Sequence, residues 1–370
     1  METHDDLRAE VLSFIRHGLD APLDEGVFER LALAVFEYQL SLNMPYGRFC
    51  DRRKISPGSV AHWDDIPAVP TAAFKEAALV CGDPTTAEIV FRTSGTSQGR
   101  ERRGSHYIND LALYGAAALP NFRAHLLPDG TPMRMLVLGP TLDMAPDSSL
   151  TWMLDRVCRE FGTKDSAHFL GKDGLRFDAL IWELGESESA ERPIMILGTA
   201  AALAHLLDEL DERDRRFQLP IGSRVMETGG FKGARREIPR DEFYALLTQR
   251  LGLSELYCVA EYGMTEMCSQ FYDNVLCERA LGCNPALRYK VVPPWVRTQV
   301  VDAESLEPLS AGKVGLLRHF DLANLDSVMA IQTDDLGIAS SEGFEILGRA
   351  SGAELRGCSI AMDQWLTAQR

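Results

Sequence analysis

Apolar residues recur every three or four positions through the first 60 residues, at Leu7, Val11, Phe14, Ile15 and Leu19 and again at Phe28, Leu31, Leu33, Phe36 and Leu40. That spacing predicts amphipathic helices. Prolines at 57, 67 and 70 end the pattern, and Ile66-Pro-Ala-Val-Pro-Thr-Ala-Ala-Phe-Lys75 reads as an ordered connection into a further helix. Beyond it, short apolar runs at 89–91, 135–138, 194–197, 224–226 and 256–259 predict strands, with helical spacing at 108–119, 150–160, 200–211 and 240–251 between them. Such alternation indicates an α/β fold with a largely parallel sheet flanked by helices. From about Val291 the texture changes to strand and turn, at 297–302, 314–318 and 329–332, and no long helix is expected before the end. The expected organisation is a helical segment 1–60, an α/β core 61–290 and a β-rich part 291–370.

A length of 370 residues with 45% hydrophobic content supports a sizeable buried core. The formal charge of −16 argues against nucleic acid or an anionic membrane as the main partner, because the long-range field repels polyanions. The weakly polar run 194–207 is too short to span a bilayer, and no basic-then-apolar leader opens the chain. Eight cysteines occur without a C-x-x-C pair, which favours free thiols and a cytoplasmic location. Seven of the 38 basic residues are lysine, so a lysine with a chemical role has few candidates.

Directly after a predicted strand comes Thr93-Ser-Gly-Thr-Ser-Gln-Gly99. Thr, Ser, Gly and Gln cannot pack a core, but they supply backbone amides and hydroxyls suited to wrapping phosphate oxygens. The Walker pattern is absent. Gly95-Thr-Ser97-Gln-Gly99 also fits the nucleophile elbow of a serine hydrolase, with Asp302 and His319 following in hydrolase order. An elbow needs its helix to begin at once, whereas the charged stretch Arg100-Glu-Arg-Arg-Gly104 intervenes. Three clusters follow downstream. Glu227-Thr-Gly-Gly-Phe-Lys-Gly233 has paired glycines that let backbone approach a flat ligand. Glu261-Tyr-Gly-Met-Thr-Glu266 sets an aromatic, a hydroxyl and a carboxylate at a strand end, where open α/β sheets bind ligands. Thr333-Asp-Asp335 offers carboxylates to a ribose diol.

In that order these motifs resemble the adenylate-forming superfamily, with its Thr-Ser-Gly-Thr loop, Tyr-Gly-x-Thr-Glu signature, Thr-x-Asp ribose motif and Gly348-Arg349. Within it the chain is similar to the acyl-protein synthetase (luciferin-component ligase) family of bacterial bioluminescence. That likeness is carried by Val69-Pro-Thr-Ala-Ala-Phe-Lys75, Gly229-Gly-Phe-Lys232, Tyr262-Gly-Met-Thr-Glu-Met-Cys-Ser-Gln-Phe-Tyr272, Pro293-Pro-Trp-Val-Arg297 and the end from Leu347 to Ser359.

The resemblance implies an adenylate-forming enzyme, N-terminal-domain-like in fold. A carboxylic acid attacks the α-phosphate of ATP, giving acyl-AMP and pyrophosphate, and the acyl group then passes to a nucleophile. By motif position, Thr93, Ser94, Gly95 and Thr96 hold the β- and γ-phosphates, Thr265 contacts the α-phosphate and Glu266 binds Mg²⁺. Tyr262, followed by Gly263, stacks on adenine near Gly229 and Gly230; Asp335 holds the ribose, and Arg349 approaches ribose or phosphate. Asp334 stands where that ribose motif usually has glycine, so which carboxylate acts is left open. Full-length superfamily members carry a mobile C-terminal domain with a catalytic lysine; here 21 residues without lysine follow Arg349. The full mobile domain is therefore expected to be absent, with Lys232, or else Lys75, supplying the charge. Cys358, in Arg356-Gly-Cys-Ser, matches the acyl-carrying cysteine of the bioluminescence relatives, its thiolate favoured by Arg356; the alternative for Cys358 is a small residue in a terminal strand. The acid is fatty or aryl, and the acceptor is a protein or a small-molecule nucleophile.

Overall fold

The computed structural model describes residues 4–19, 24–94, 103–230, 238–350 and 356–369. The chain forms two compact units. One comprises Met1–Pro120, Met264–Gln270 and Tyr289–Arg370; the other comprises Asn121–Gly263 and Phe271–Arg288.

The second unit holds a six-stranded sheet. Cys258–Tyr262, Arg224–Thr228, Ile194–Thr199, Arg134–Leu138 and Ala167–His168 run parallel in that spatial order, and Phe271–Tyr272 pairs antiparallel at the Cys258–Tyr262 edge. The inner strands are buried on both faces, which is why Ile194-Met-Ile-Leu reads as a continuous apolar run rather than an alternation. Arg224, Glu227 and Glu261 are charged residues buried within that sheet, and Arg224 shows how such a charge is met. Its guanidinium is buried but donates to Gly222 O, Leu126 O and Asp129, so its charge is matched. Helices Ser149–Phe161, Ala200–Glu212 and Arg240–Leu251 lie where the spacing predicts them. Ser148 and Thr199 cap the first two through their hydroxyls, and Gly252 at φ 69° stops the third. Helix Phe177–Ser189 was not expected: Gly185, three Glu and two Ser residues dilute a pattern whose buried apolar residues are Leu180, Ile181 and Leu184.

The first unit is built on a five-stranded sheet, in which Val69–Pro70, Ala330–Ala339, Val314–Asp321 and Val296–Val301 are successive neighbours and Phe344–Arg349 also pairs with Ala330–Ala339. Helices His4–Gly18, Glu25–Leu42 and Met44–Arg52 account for the N-terminal pattern. Buried amides tie them to the sheet unit: Gln39 Nε2 donates to Asn324 O and Leu325 O, Gln39 Oε1 accepts from Met329 N, and Asn43 Nδ2 donates to Ser327 O. The β-rich part is present, but the chain does not stay in strands to the end. A helix, Arg356–Gln369, corrects that expectation. It docks through Trp365, fully buried with its ring 5.4 Å from Phe49, and through Gln369 Nε2 donating to Pro45 O. Short apolar content in a mixed window hid its period. Among the described residues no helix is long and apolar enough to cross a membrane.

His319, on Val314–Asp321, is buried with Nδ1 2.9 Å from Thr298 Oγ1 and its ring 5.6 Å from Phe344. Burial pushes its pKa down from 6.5 to about 3. The folded imidazole stays neutral where the unfolded one takes a proton, so its contribution holds above pH 6.5 and is lost as pH falls. Between pH 6.5 and about 5 this amounts to about 2 kcal/mol. Denaturant titrations at both pH values should show the stability gap between wild type and His319→Gln narrowing on acidification. A constant gap would contradict the assignment.

Candidate functional site

In the first unit, strands Ile89–Arg92 and Ser105–Ile108 form an antiparallel pair with Phe91 opposite His106. The ladder continues one step further. Thr93 N donates to Gly104 O at 3.0 Å, and Gly104 N donates to Thr93 Oγ1 at 2.9 Å. A Cβ on Gly104 would meet Thr93 Cγ2 at 3.1 Å, so the approach favours glycine there. Arg103 Nε donates to Thr93 O at 2.6 Å. The root of the Thr- and Ser-rich loop is thus clamped, with Ser94 exposed beyond it. Gly95, Thr96 and Ser97 lie outside the described residues.

The Thr265–Glu266 turn is held from below by two side chains of the same unit. Asp321 accepts from Cys268 N (3.2 Å), Ser269 N (2.9 Å), Ser269 Oγ (2.8 Å) and Ala323 N (2.9 Å). Asn324 accepts from Cys268 N at 2.8 Å and donates through Nδ2 to Glu266 O at 2.9 Å and Val328 O at 3.1 Å. Trp295 Nε1 completes the cradle by donating to Ser269 Oγ at 2.9 Å. Burial pushes the Asp321 carboxyl up to about 6 against the pull of these donors. Glu266 is 8% exposed, and burial raises its carboxyl from 4.5 to about 7. Its own backbone amide and the charges of Lys75 and Arg349 pull it back; Asp335 pushes it up. Asp335 lies directly across the ladder from Arg349, with Oδ1 3.4 Å from the exposed guanidinium's Nε. Successive strand residues face opposite sides, so Asp335, and not Asp334, shares the position of Arg349.

The other expected residues belong to the second unit. Gly229 ends strand Arg224–Thr228 with φ 66°, a left-handed conformation that suits glycine, and a Cβ on Gly230 would meet nothing within 4 Å. Tyr262 ends its strand half-buried, its ring 5.8 Å from Phe271 at 32°, and Gly263 follows, exposed. Beneath them the Thr228 hydroxyl is hydrogen-bonded to the buried Glu261 carboxylate.

Lys232 lies outside the described residues. Cys358 falls in the first turn of helix Arg356–Gln369, which replaces the terminal strand as its setting. The residues that an elbow would need are engaged in other ways. Asp302 Oδ1 accepts from Glu304 N and Ser305 N in its own turn, and His319 faces Thr298. Sequence reasoning missed Asp321, Asn324 and His106, because none sits in a motif. The only available signal was their polarity inside apolar surroundings, as in His319-Phe-Asp321-Leu-Ala-Asn324-Leu.

Solved structures share this architecture. An open conformation of 2-hydroxyisobutyryl-CoA ligase, in complex with 2-HIB-AMP and CoA, aligns with a TM-score of 0.62 at 14% identity, over 87% of this chain and 74% of that one. ATP-bound MatB from Rhodopseudomonas palustris aligns with a TM-score of 0.50 at 14% identity over 73% of this chain; the match spans about half, 49%, of that structure. The fold is that of adenylate-forming enzymes. The chain belongs to the acyl-protein synthetase family, LuxE, which matches residues 11–367. Relatives include the long-chain-fatty-acid–luciferin-component ligase of Vibrio harveyi, 25% identical over 351 residues, covering 92% of this chain and 88% of that protein. The ligase of the same name from Aliivibrio fischeri is 22% identical over 348 residues, covering 90% and 87%.

Because Asn324 Nδ2 pairs with the carbonyls of Glu266 and Val328, while Cys268 N keeps Asp321 as a second acceptor, Asn324→Ala should lower stability by about 1–3 kcal/mol through the carbonyls left unpaired. A denaturant midpoint unchanged from wild type would refute this role.

Proposed function

We propose that the chain activates a carboxylic acid with ATP and passes the acyl group to a nucleophile. The observation that carries this reading is Glu266: a buried carboxyl beside a hydroxyl, subject to the opposed charges of Lys75, Arg349 and Asp335. In the first step a carboxylate oxygen of the substrate bonds to the α-phosphorus and the bond to the β-phosphate's bridging oxygen breaks, releasing pyrophosphate. A carboxylate is a weak nucleophile approaching a polyanion, so fixed hydrogen-bond donors and positive charge must meet it. Thr93 and Ser94, with Gly95 and Thr96, hold the β- and γ-phosphates, and Thr265 contacts the α-phosphate. Asp335 takes the ribose hydroxyls and Arg349 lies by ribose or phosphate. Tyr262, with Gly229 and Gly230, offers a flat surface for adenine. Lys232, or else Lys75, is the cation assigned to the acid and α-phosphate.

Glu266 also suits Mg²⁺: burial holds its carboxyl up at about 7, and a hard divalent ion would favour the ionised form. Such an ion supplies charge neutralisation on the phosphates. In the second step a thiolate attacks the acyl carbon and AMP leaves, and Cys358 is the thiol we assign. The names of the Vibrio and Aliivibrio relatives support a long-chain fatty acid as substrate, and the family's description, acyl-protein synthetase, supports a protein acceptor.

Exchange of labelled pyrophosphate into ATP tests the first step. Fatty acids should support it and aryl acids should not, and Glu266→Gln should reduce it by about 100-fold or more. No exchange with any acid, together with fluorophosphonate labelling at Ser97, would replace this reading with a serine hydrolase. Intact mass after incubation with ATP and acid tests the second step: Cys358→Ser should keep exchange and lose the added acyl mass, whereas retained acyl mass would exclude that thiol.

A further inference from the structure

One side chain joins three parts of the first unit, and no motif contains it. His106 is 1% exposed on the inward face of strand Ser105–Ile108. Its Nδ1 lies 2.7 Å from the carbonyl oxygen of Thr265. A carbonyl oxygen only accepts, so Nδ1 carries the proton and donates, and Nε2 is left as a bare acceptor. Nε2 is buried and has no hydrogen-bond partner among the described residues. The ring is met edge-on by Phe74, with centroids 5.7 Å apart at 86°, and Phe74 is bonded to Lys75. Two residues before His106 on the same hairpin, Gly104 closes the ladder on Thr93. One imidazole therefore sets the Thr265–Glu266 turn against the root of the Thr- and Ser-rich loop and against the Phe74-Lys75 turn. Burial lowers its pKa to about 4, the Thr265 carbonyl opposing, so the ring stays neutral and the donor stays on Nδ1 at physiological pH.

We infer that His106 is a positioning residue for adenylation: its Nδ1–H holds the Thr265 carbonyl and so fixes how the Thr265 hydroxyl and the Glu266 carboxyl are presented to the phosphates. This rests on the adenylation reading above. The imidazole touches none of the groups assigned to the reacting atoms, which separates its role from that of a general base. What it contributes is geometry, and small misplacements of groups that act on a transferring phosphate are costly in rate.

The donor position makes the role testable by substitution. In His106→Asn the amide nitrogen falls at the place of Nδ1 and keeps the donor; His106→Gln moves its nitrogen out towards the place of Nε2, and His106→Leu has no donor. Pyrophosphate exchange should be measured for wild type and all three, with kcat and KM for ATP and acid, alongside melting temperatures. His106→Leu and His106→Gln should lose about 10- to 100-fold in kcat with KM values within about threefold, and His106→Asn should return to within about fivefold of wild type. Exchange retained in all three variants, or a loss that follows melting temperature whatever the donor, would overturn the inference and leave the adenylation reading standing. No exchange by wild type with any acid would remove that reading and this inference with it.

Discussion

A buried carboxylate that accepts four hydrogen bonds organises the first unit. Asp321 gathers the amides of Cys268, Ser269 and Ala323 and the Ser269 hydroxyl, and through them it fixes the turn on which Thr265 and Glu266 stand. A turn of this kind has no regular ladder to satisfy its backbone, and a buried backbone amide left unpaired is expensive. The cost is met here by one acidic and one amide side chain, with Trp295 bonding the serine that Asp321 also holds. Glu266 is buried on that turn, and burial, opposed by its own backbone amide, Lys75 and Arg349, holds its carboxyl near 7 rather than in the ordinary range.

Much of the scaffold was legible because parallel sheets announce themselves. Runs such as 194–197 and 224–226, buried on both faces, leave continuous apolar stretches, and the helices between them keep a 3.6-residue period. Boundaries and weakly patterned elements were not legible: the run expected at 256–259 is a strand at Cys258–Tyr262, and helices Phe177–Ser189 and Arg356–Gln369 have diluted apolar faces. The candidate site divides in the same way. Residues that would touch a ligand sit in local motifs of glycine, hydroxyl and carboxylate, which sequence exposes. Residues that hold those motifs in place, Asp321, Asn324 and His106, act across 52, 56 and 159 positions of chain respectively. A single sequence carries no sign of such pairings, since their polarity alone does not reveal a partner.

The charge of −16 and the expected phosphate ligand are compatible because the local field need not follow the global one. Clamping the loop root through Thr93, Gly104 and Arg103 brings backbone amides and a guanidinium to one place, and Lys75 and Arg349 act on Glu266 from the same unit. Acidic residues elsewhere then weigh little against donors fixed at short range, since exposed charges more than about 10 Å away are largely screened.

The order in which the chain leaves the ribosome bears on the two units differently. The parallel sheet is made from one nearly continuous stretch, with only Met264–Gln270 excursing from it, so its contacts are available early in synthesis. The first unit must wait: Gln39 finds Asn324, Leu325 and Met329 only after 285 to 290 further residues have been made. Until then the apolar faces of the helices that open the chain have only local partners, such as Trp63 beside Phe28 and Tyr46 beside Phe36. Such non-local closure is slow and exposes sticky surface in the interval. The amino-terminal helices thus complete their burial only once the last strands of the first unit have been made.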